Sequence, residues 1–165
     1  MKFNLMITAV AAIMPLVMGF IWYNPSVFGK AWMKECQFTP ESIGKPNPMI
    51  FLYSYVLSFL LAFMLSPIVI HQFGMFSVLI NEPGMTEAGS DVHNYFTDFM
   101  AKYGNNFRTF KHGALHGTMV GLLIALPILA TNAMFEKKTF KYIIINSGYW
   151  IVTIALMGGI ICQFA

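Results

Sequence analysis

The sequence predicts an all-α membrane protein. It has four transmembrane helices in two hairpins, with an amphipathic surface helix in the second connection. Three observations predict this. Of 165 residues, 57% are hydrophobic and 10% are charged, against roughly a quarter charged in soluble domains. Four apolar runs, at about 4–23, 48–70, 113–134 and 142–164, have the length of about twenty residues with which a helix crosses a bilayer. The cations gather at the ends of these runs. The whole chain, 1–165, reads as one domain.

The first run follows Lys2 and ends in Phe20, Trp22, Tyr23, Asn24 and Pro25. It is long for the apolar core of a signal peptide, and no small-x-small cleavage site follows, so it reads as a retained helix. Pro15 should bend it and free the carbonyl of Ala11. Trp22 and Tyr23 stand where an interfacial aromatic belt places them. In the next stretch Phe28, Ala31 and Trp32 share one side, with Lys30 and Lys34 on the other, as in a short interfacial segment. Thr39-Pro40-Glu41 is a helix-start signal.

The second run contains Pro67 and ends at His71. Met75 to Ile80 either continues it or lies on the membrane surface. Residues 72–111 form an extramembrane insert. Within it Pro83-Gly84 and Gly89-Ser90 break the chain. Val92, Tyr95, Phe96, Phe99, Met100 and Tyr103 then recur at helical spacing, which makes an amphipathic helix capped by Ser90 and ended by Gly104. In the third run Gly113, Gly117, Gly121 and Ala125 recur every fourth residue. Such a stripe lets two helix backbones approach closely. Pro127 should kink this helix, and a tight connection leads to the fourth.

Orientation follows from the cations. Lys30, Lys34, Lys45, Lys137, Lys138 and Lys141 lie on the two hairpin connections, against Lys2, Lys102, Arg108 and Lys111 on the other side. The excess puts the hairpins in the cytoplasm and both termini and the insert outside.

The same composition excludes several function classes. The net charge is +3, and the cations form no patch for nucleic acid. Cys36 and Cys162 make neither a disulfide framework nor a metal motif. No phosphate-binding loop, zinc-protease motif or nucleophile elbow is present, so no catalytic residue is named.

Two polar constellations remain. On the outer side lie His71, His93, His112 and His116. His112 and His116 are one turn apart, and His71 ends the second helix where the third begins. Such a set can hold a transition metal or haem iron. The commoner use of such histidines is bonding to main-chain carbonyls or lipid headgroups, and no second histidine pair exists for a twin-haem site. On the inner side lie Trp22, Tyr23, Asn24, Lys30, Asn132, Glu136, Asn146 and Tyr149. Polar groups at this depth are costly unless paired. They suggest a binding pocket with Glu136 paired to Lys30 or Lys141, or a polar belt that fixes helix depth.

Two blocks carry a resemblance. One is Gly19-Phe-Ile-Trp22-Tyr23-Asn-Pro25, continuing to Phe28-Gly29-Lys30-Ala-Trp32-Met33. The other is Asn132-x-x-Phe135-Glu136, then Lys141, then Asn146-Ser-Gly148-Tyr149-Trp150 and Met157-Gly158. Together they resemble a small bacterial integral-membrane family known as domain of unknown function 1761. The resemblance covers the first, third and fourth helices; the second matches only in character. It implies a compact four-helix protein of the bacterial inner membrane with no established activity, and a shorter connection than residues 72–111.

Three functional expectations result. The first is a non-enzymatic structural or accessory component, associating with itself or with other membrane subunits through the small-residue face. The second is a small oligomeric transporter or channel with a polar site around Glu136. The third is a metal- or haem-binding redox subunit using the outer histidines. The sequence calls for no cofactor outright, and for no partner beyond the lipid bilayer and such subunits.

Overall fold

The computed structural model describes residues 3–39, 42, 44 and 47–165, and among these residues there is no strand. Lys2, Lys45, Pro40 and Glu41 fall outside them, so the expected helix start at Thr39-Pro40-Glu41 lies largely beyond the described residues. Four helical stretches are long and apolar enough to cross a membrane: Leu5–Trp22, Pro48–Val69, Phe110–Phe135 and Phe140–Phe164.

The first stretch is two helices, α1 (Leu5–Ala11) and α2 (Met14–Trp22). The break falls one turn before Pro15, whose ring displaces the preceding turn and whose nitrogen has no hydrogen to give. Two tyrosine hydroxyls donate to carbonyls on either side of the break, Tyr55 to Ala9 O at 3.2 Å and Tyr149 to Pro15 O at 2.7 Å. After a turn, α3 (Gly29–Glu35) follows. A side chain at Gly29 would stand 2.2 Å from the Tyr23 carbonyl, so the turn requires glycine there.

Helix α4 (Pro48–Val69) starts with proline in its first turn and an Asn47 cap, and it runs through Pro67. Ile70 is extended, with φ −109° and ψ 96°. Met75 to Ile80 therefore does not continue α4; a separate helix, α5 (Gln72–Leu79), sets off after the break. Helix α6 (Asp91–Tyr103) is the amphipathic one, capped by Ser90 Oγ accepting from His93 N and ended at Gly104.

The third stretch comprises α7 (Phe110–Val120), a wide π turn at Gly121–Ala125, and α8 (Leu126–Phe135). The π turn absorbs the hydrogen bond that Pro127 cannot make, a usual setting for such a bulge. Helix α9 (Phe140–Phe164) is the hub. Half of its most apolar window is buried, against 22% or less for the other three stretches. Leu65 and Val69 of α4 and the following Ile70 meet Ile154, Met157, Ile161 and Cys162 of α9, with Ala11 and Ala12 in the same cluster. The other faces expose Leu, Ile, Val, Met and Phe side chains, as a lipid-facing surface requires.

The glycine stripe meets α9 of the same chain. A Cβ at Gly113 would stand 2.1 Å from Gly158 O, at Gly117 2.4 Å from Ile154 O, and at Gly121 2.7 Å from Ile151 Cα. Ala125 packs at the edge of the core. Within the chain, this small-residue face packs against α9. The α7–α9 contact occupies it, because two backbones this close leave no room for a third.

Candidate functional site

The two polar constellations lie at opposite ends of α9. Asn146 and Cys162 mark those ends, about 24 Å apart at the rise of an α-helix.

At the Asn146 end, aromatic and amide groups bind the ends of the helices together. Trp22 Nε1 donates to Ile145 O at 3.0 Å, and Tyr23 OH donates to Asn146 Oδ1 at 2.9 Å. Asn146 Nδ2 donates to Tyr142 O at 2.8 Å. The Trp22 ring lies over Gly148, where a side chain would come within 3.1 Å of it. Burial, then the neighbouring tyrosines, pushes the Tyr23 phenol above its ordinary pKa, which keeps it a donor. Asn24 accepts from Ser26 N at 2.9 Å and so shapes the turn.

Two cavities flank this network. One, of about 550 Å³, runs between α2, α4 and α9 and includes Tyr23, Trp32, Ser58 and Tyr149 in an otherwise apolar wall. The other, of about 190 Å³, brings Asn132, Glu136 and Asn146 together with Tyr142 and Trp150. The expected cluster is thus divided, with Asn146 at the boundary. The expected pairing of Glu136 is not found. Among the described residues the ion pair is Lys141 with Glu35, 3.9 Å apart. Glu35 also accepts from Thr139 Oγ1. Helix α3 carries Glu35 to the start of α9, and Lys30, five residues earlier on the same short helix, makes no ion pair among the described residues. Cys36 closes α3, and burial raises its thiol pKa against the lowering effect of Lys138.

At the other end the histidines converge. The extended Ile70 turns the chain so that His71 faces the first turns of α7, where His112 and His116 stand one turn apart. Thr109 Oγ1 caps α7 and fixes its start. His71 Nε2 lies 3.1 Å from His116 Nε2 and 3.2 Å from His112 Nε2. The three ligand atoms all lie within 4.8 Å of one another. His71 is exposed and the other two are half-buried, so the cluster opens to solvent. His93 is elsewhere, its Nδ1 3.1 Å from Met85 O.

Hydrogen bonding alone cannot satisfy this arrangement. A ring nitrogen has either one hydrogen or one lone pair. His71 Nε2 therefore serves one of its two neighbours and leaves the other facing it without a bond.

Sequence reasoning missed two residues of this end. Arg108 Nε donates to Cys162 O at 2.7 Å, and its guanidinium also reaches Ala165 O, so it pins the turn before α7 to the end of α9. Gln72 is buried beneath α6 and donates to Tyr103 O and Asn106 O at 3.1 and 3.0 Å. Its one available signal was an amide beside His71 in an otherwise apolar stretch.

No curated protein and no solved structure matches the chain. A family model described as protein of unknown function, DUF1761, matches residues 6–162, through all four long helices and across the 72–111 connection, and the chain belongs to that family.

Proposed function

We propose that this protein binds a divalent transition-metal ion at one membrane face through His71, His112 and His116. One observation carries the reading: His71 Nε2 lies 3.1 Å from His116 Nε2 and 3.2 Å from His112 Nε2, separations that hydrogen bonds cannot both satisfy, and one ligand atom from each ring lies within 4.8 Å of the others. An ion among these atoms takes a lone pair from each ring. Metal–nitrogen bonds of about 2.0–2.1 Å in a tetrahedral centre put the ligand nitrogens roughly 3.4 Å apart, close to the two shorter separations. Imidazole suits zinc, copper, iron and nickel, and three histidines with an open fourth position are a common donor set for a reactive zinc site. The geometry favours a bare ion over haem. Three imidazole nitrogens within 4.8 Å of one another leave no space for a macrocycle among them.

Metal uptake by the purified full chain tests this. One Co²⁺ or Zn²⁺ per chain is expected, lost on His71→Ala, His112→Ala or His116→Ala and retained on His93→Ala. Uptake unchanged in the triple variant overturns the reading.

A second reading has the support of the smaller cavity at the other end. Asn132, Glu136 and Asn146 line it, and an acid without a cationic partner among the described residues suits a small cation in a transporter or channel. Flux in liposomes, with Glu136→Gln as the comparison, tests it; equal flux from both, or none, removes it. A structural role through the glycine stripe has less support, because α9 of the same chain covers that stripe. The lysine excess supports a cytoplasmic position for the Asn146 end, with the histidines on the outer face of a bacterial inner membrane.

A further inference from the structure

Beside the histidines lies a cavity of about 300 Å³, bounded by His71, Gln72, Phe99, Tyr103, Asn106 and Phe107. Three features of it belong together. First, its walls are largely aromatic. Phe107 lies next to the histidines, its ring 5.1 Å from His112 and 6.2 Å from His71 between centroids. The residue holds a left-handed backbone, φ +62°, that an L-phenylalanine adopts only where its surroundings impose it. Second, Gln72 is 5% exposed. Its Nε2 is spent on two carbonyls, which fixes the amide under the cavity, and its Oε1 is closed to solvent with no hydrogen-bond partner among the described residues. Third, the cluster contains histidines and no carboxylate. Three neutral rings leave the charge of a divalent ion uncompensated and one tetrahedral position free, which favours an anionic oxygen donor.

We propose that this cavity binds a small ligand with an aromatic or apolar body and an anionic oxygen-donor head. The inference rests on the metal reading above. The head completes the coordination of the ion at His71, His112 and His116. The body lies against Phe99, Tyr103 and Phe107, over the buried amide of Gln72. The cavity sits at the lower end of the size range of small-molecule sites, about 300–1,000 Å³, so the body is that of a single ring. The amphipathic helix α6 supplies one wall, which gives the insert a role in ligand selection.

The experiment compares two probes on the Co²⁺-loaded full chain in detergent, read by the visible spectrum of the ion. Benzohydroxamate carries the head, an N–H and a ring; acetohydroxamate carries the same head without the ring. Benzohydroxamate is expected to bind at least roughly tenfold more tightly, the ratio that burying a ring-sized apolar surface gives. Phe107→Ala is expected to abolish that preference and to leave acetohydroxamate binding unchanged. Because Phe107 is 63% exposed, its truncation spares the core, and Phe99→Ala on α6 gives a second, independent variant. Co²⁺ uptake with equal affinity for the two probes overturns the ligand inference and leaves the metal reading standing. A preference that survives both variants overturns it as well. Failure of the wild-type chain to take up Co²⁺ overturns both.

Discussion

At the end of the molecule that carries Lys30, Lys138 and Lys141, Ser147 Oγ is buried without a partner among the described residues, but the aromatic and amide side chains are spent. Trp22, Tyr23, Asn146 and Tyr149 each donate to a main-chain carbonyl or to one another, and Glu35 takes both Thr139 and Lys141. At the histidine end they are not. His71 Nε2 faces two nitrogens and can bond one, and Gln72 Oε1 has no donor. Both ends have aromatic rings, amides and titratable groups in similar numbers of turns. What separates them is whether the bonding capacity is used within the chain. Spent groups fasten helix ends at a set depth. Unspent nitrogens that converge at a solvent-open point are what the proposed metal site rests on.

The largest effect expected from breaking this contrast is on metal affinity. On the proposed site, His112→Ala would remove a direct ligand and should lower Co²⁺ affinity by more than the roughly 10–100-fold that loss of an outer-shell partner costs. Tyr23→Phe, at the fastened end, should leave that affinity unchanged. Titration calorimetry on the two variants reads both numbers, and a comparable loss in each would erase the distinction between the ends.

Next in size is the seam that joins them. Gly117→Val puts a side chain where Ile154 O already stands 2.4 Å from a Cβ position. Overpacking of this kind costs about 1–3 kcal/mol or more, because the atom met is main chain and cannot swing away. Thermal unfolding in detergent should show the loss. Metal affinity should fall with it, since His116 adjoins Gly117. Gly74→Ala, with nothing within 4 Å of the new atom, should do neither. Smaller again is Tyr23→Phe, which leaves Asn146 Oδ1 without its donor. A net loss of about 0.5–1.5 kcal/mol is expected, read by the same unfolding measurement.

How much of this was legible in the sequence depends on the range of the interaction. The four spans were legible from hydropathy, but two of their starts were not. Thr109 and Thr139 cap α7 and α9 through their hydroxyls, ahead of the apolar residues at which the runs were taken to begin at 113 and 142. The pair His112 and His116 follows from helical period, and the nearness of His71 follows from the order of the spans. Gln72 did not follow, because α5 starts a new direction at Ile70 that no residue pattern announces. The glycine stripe announced a close backbone approach and left open whose backbone it was. The partner of Glu136 was misassigned because the position of Glu35 depends on the turn between α2 and α3, where a glycine against the Tyr23 carbonyl sets the direction of a seven-residue helix.

The smallest effect expected is at the one ion pair found among the described residues. Lys141 Nζ lies 3.9 Å from Glu35 Oε1, and the lysine side chain is 59% exposed. The glutamate side chain is 13% exposed, but at 3.9 Å with the ammonium in solvent the pair contributes about 0–1 kcal/mol, less as salt rises. Glu35 also accepts the Thr139 hydroxyl on its other oxygen, so removing the lysine does not strand the carboxylate. Lys141→Met should therefore change stability by less than about 0.5 kcal/mol, at the low end for exposed pairs, while Thr139→Val, which removes both a helix cap and the bond to Glu35, should cost about 0.5–2 kcal/mol. Unfolding of the two variants at low and high salt separates the cases. A Lys141→Met loss that matches the threonine variant would mean that charge, and not hydrogen bonding, fastens this end. Glu35 would then be the residue to examine as an unspent group of its own.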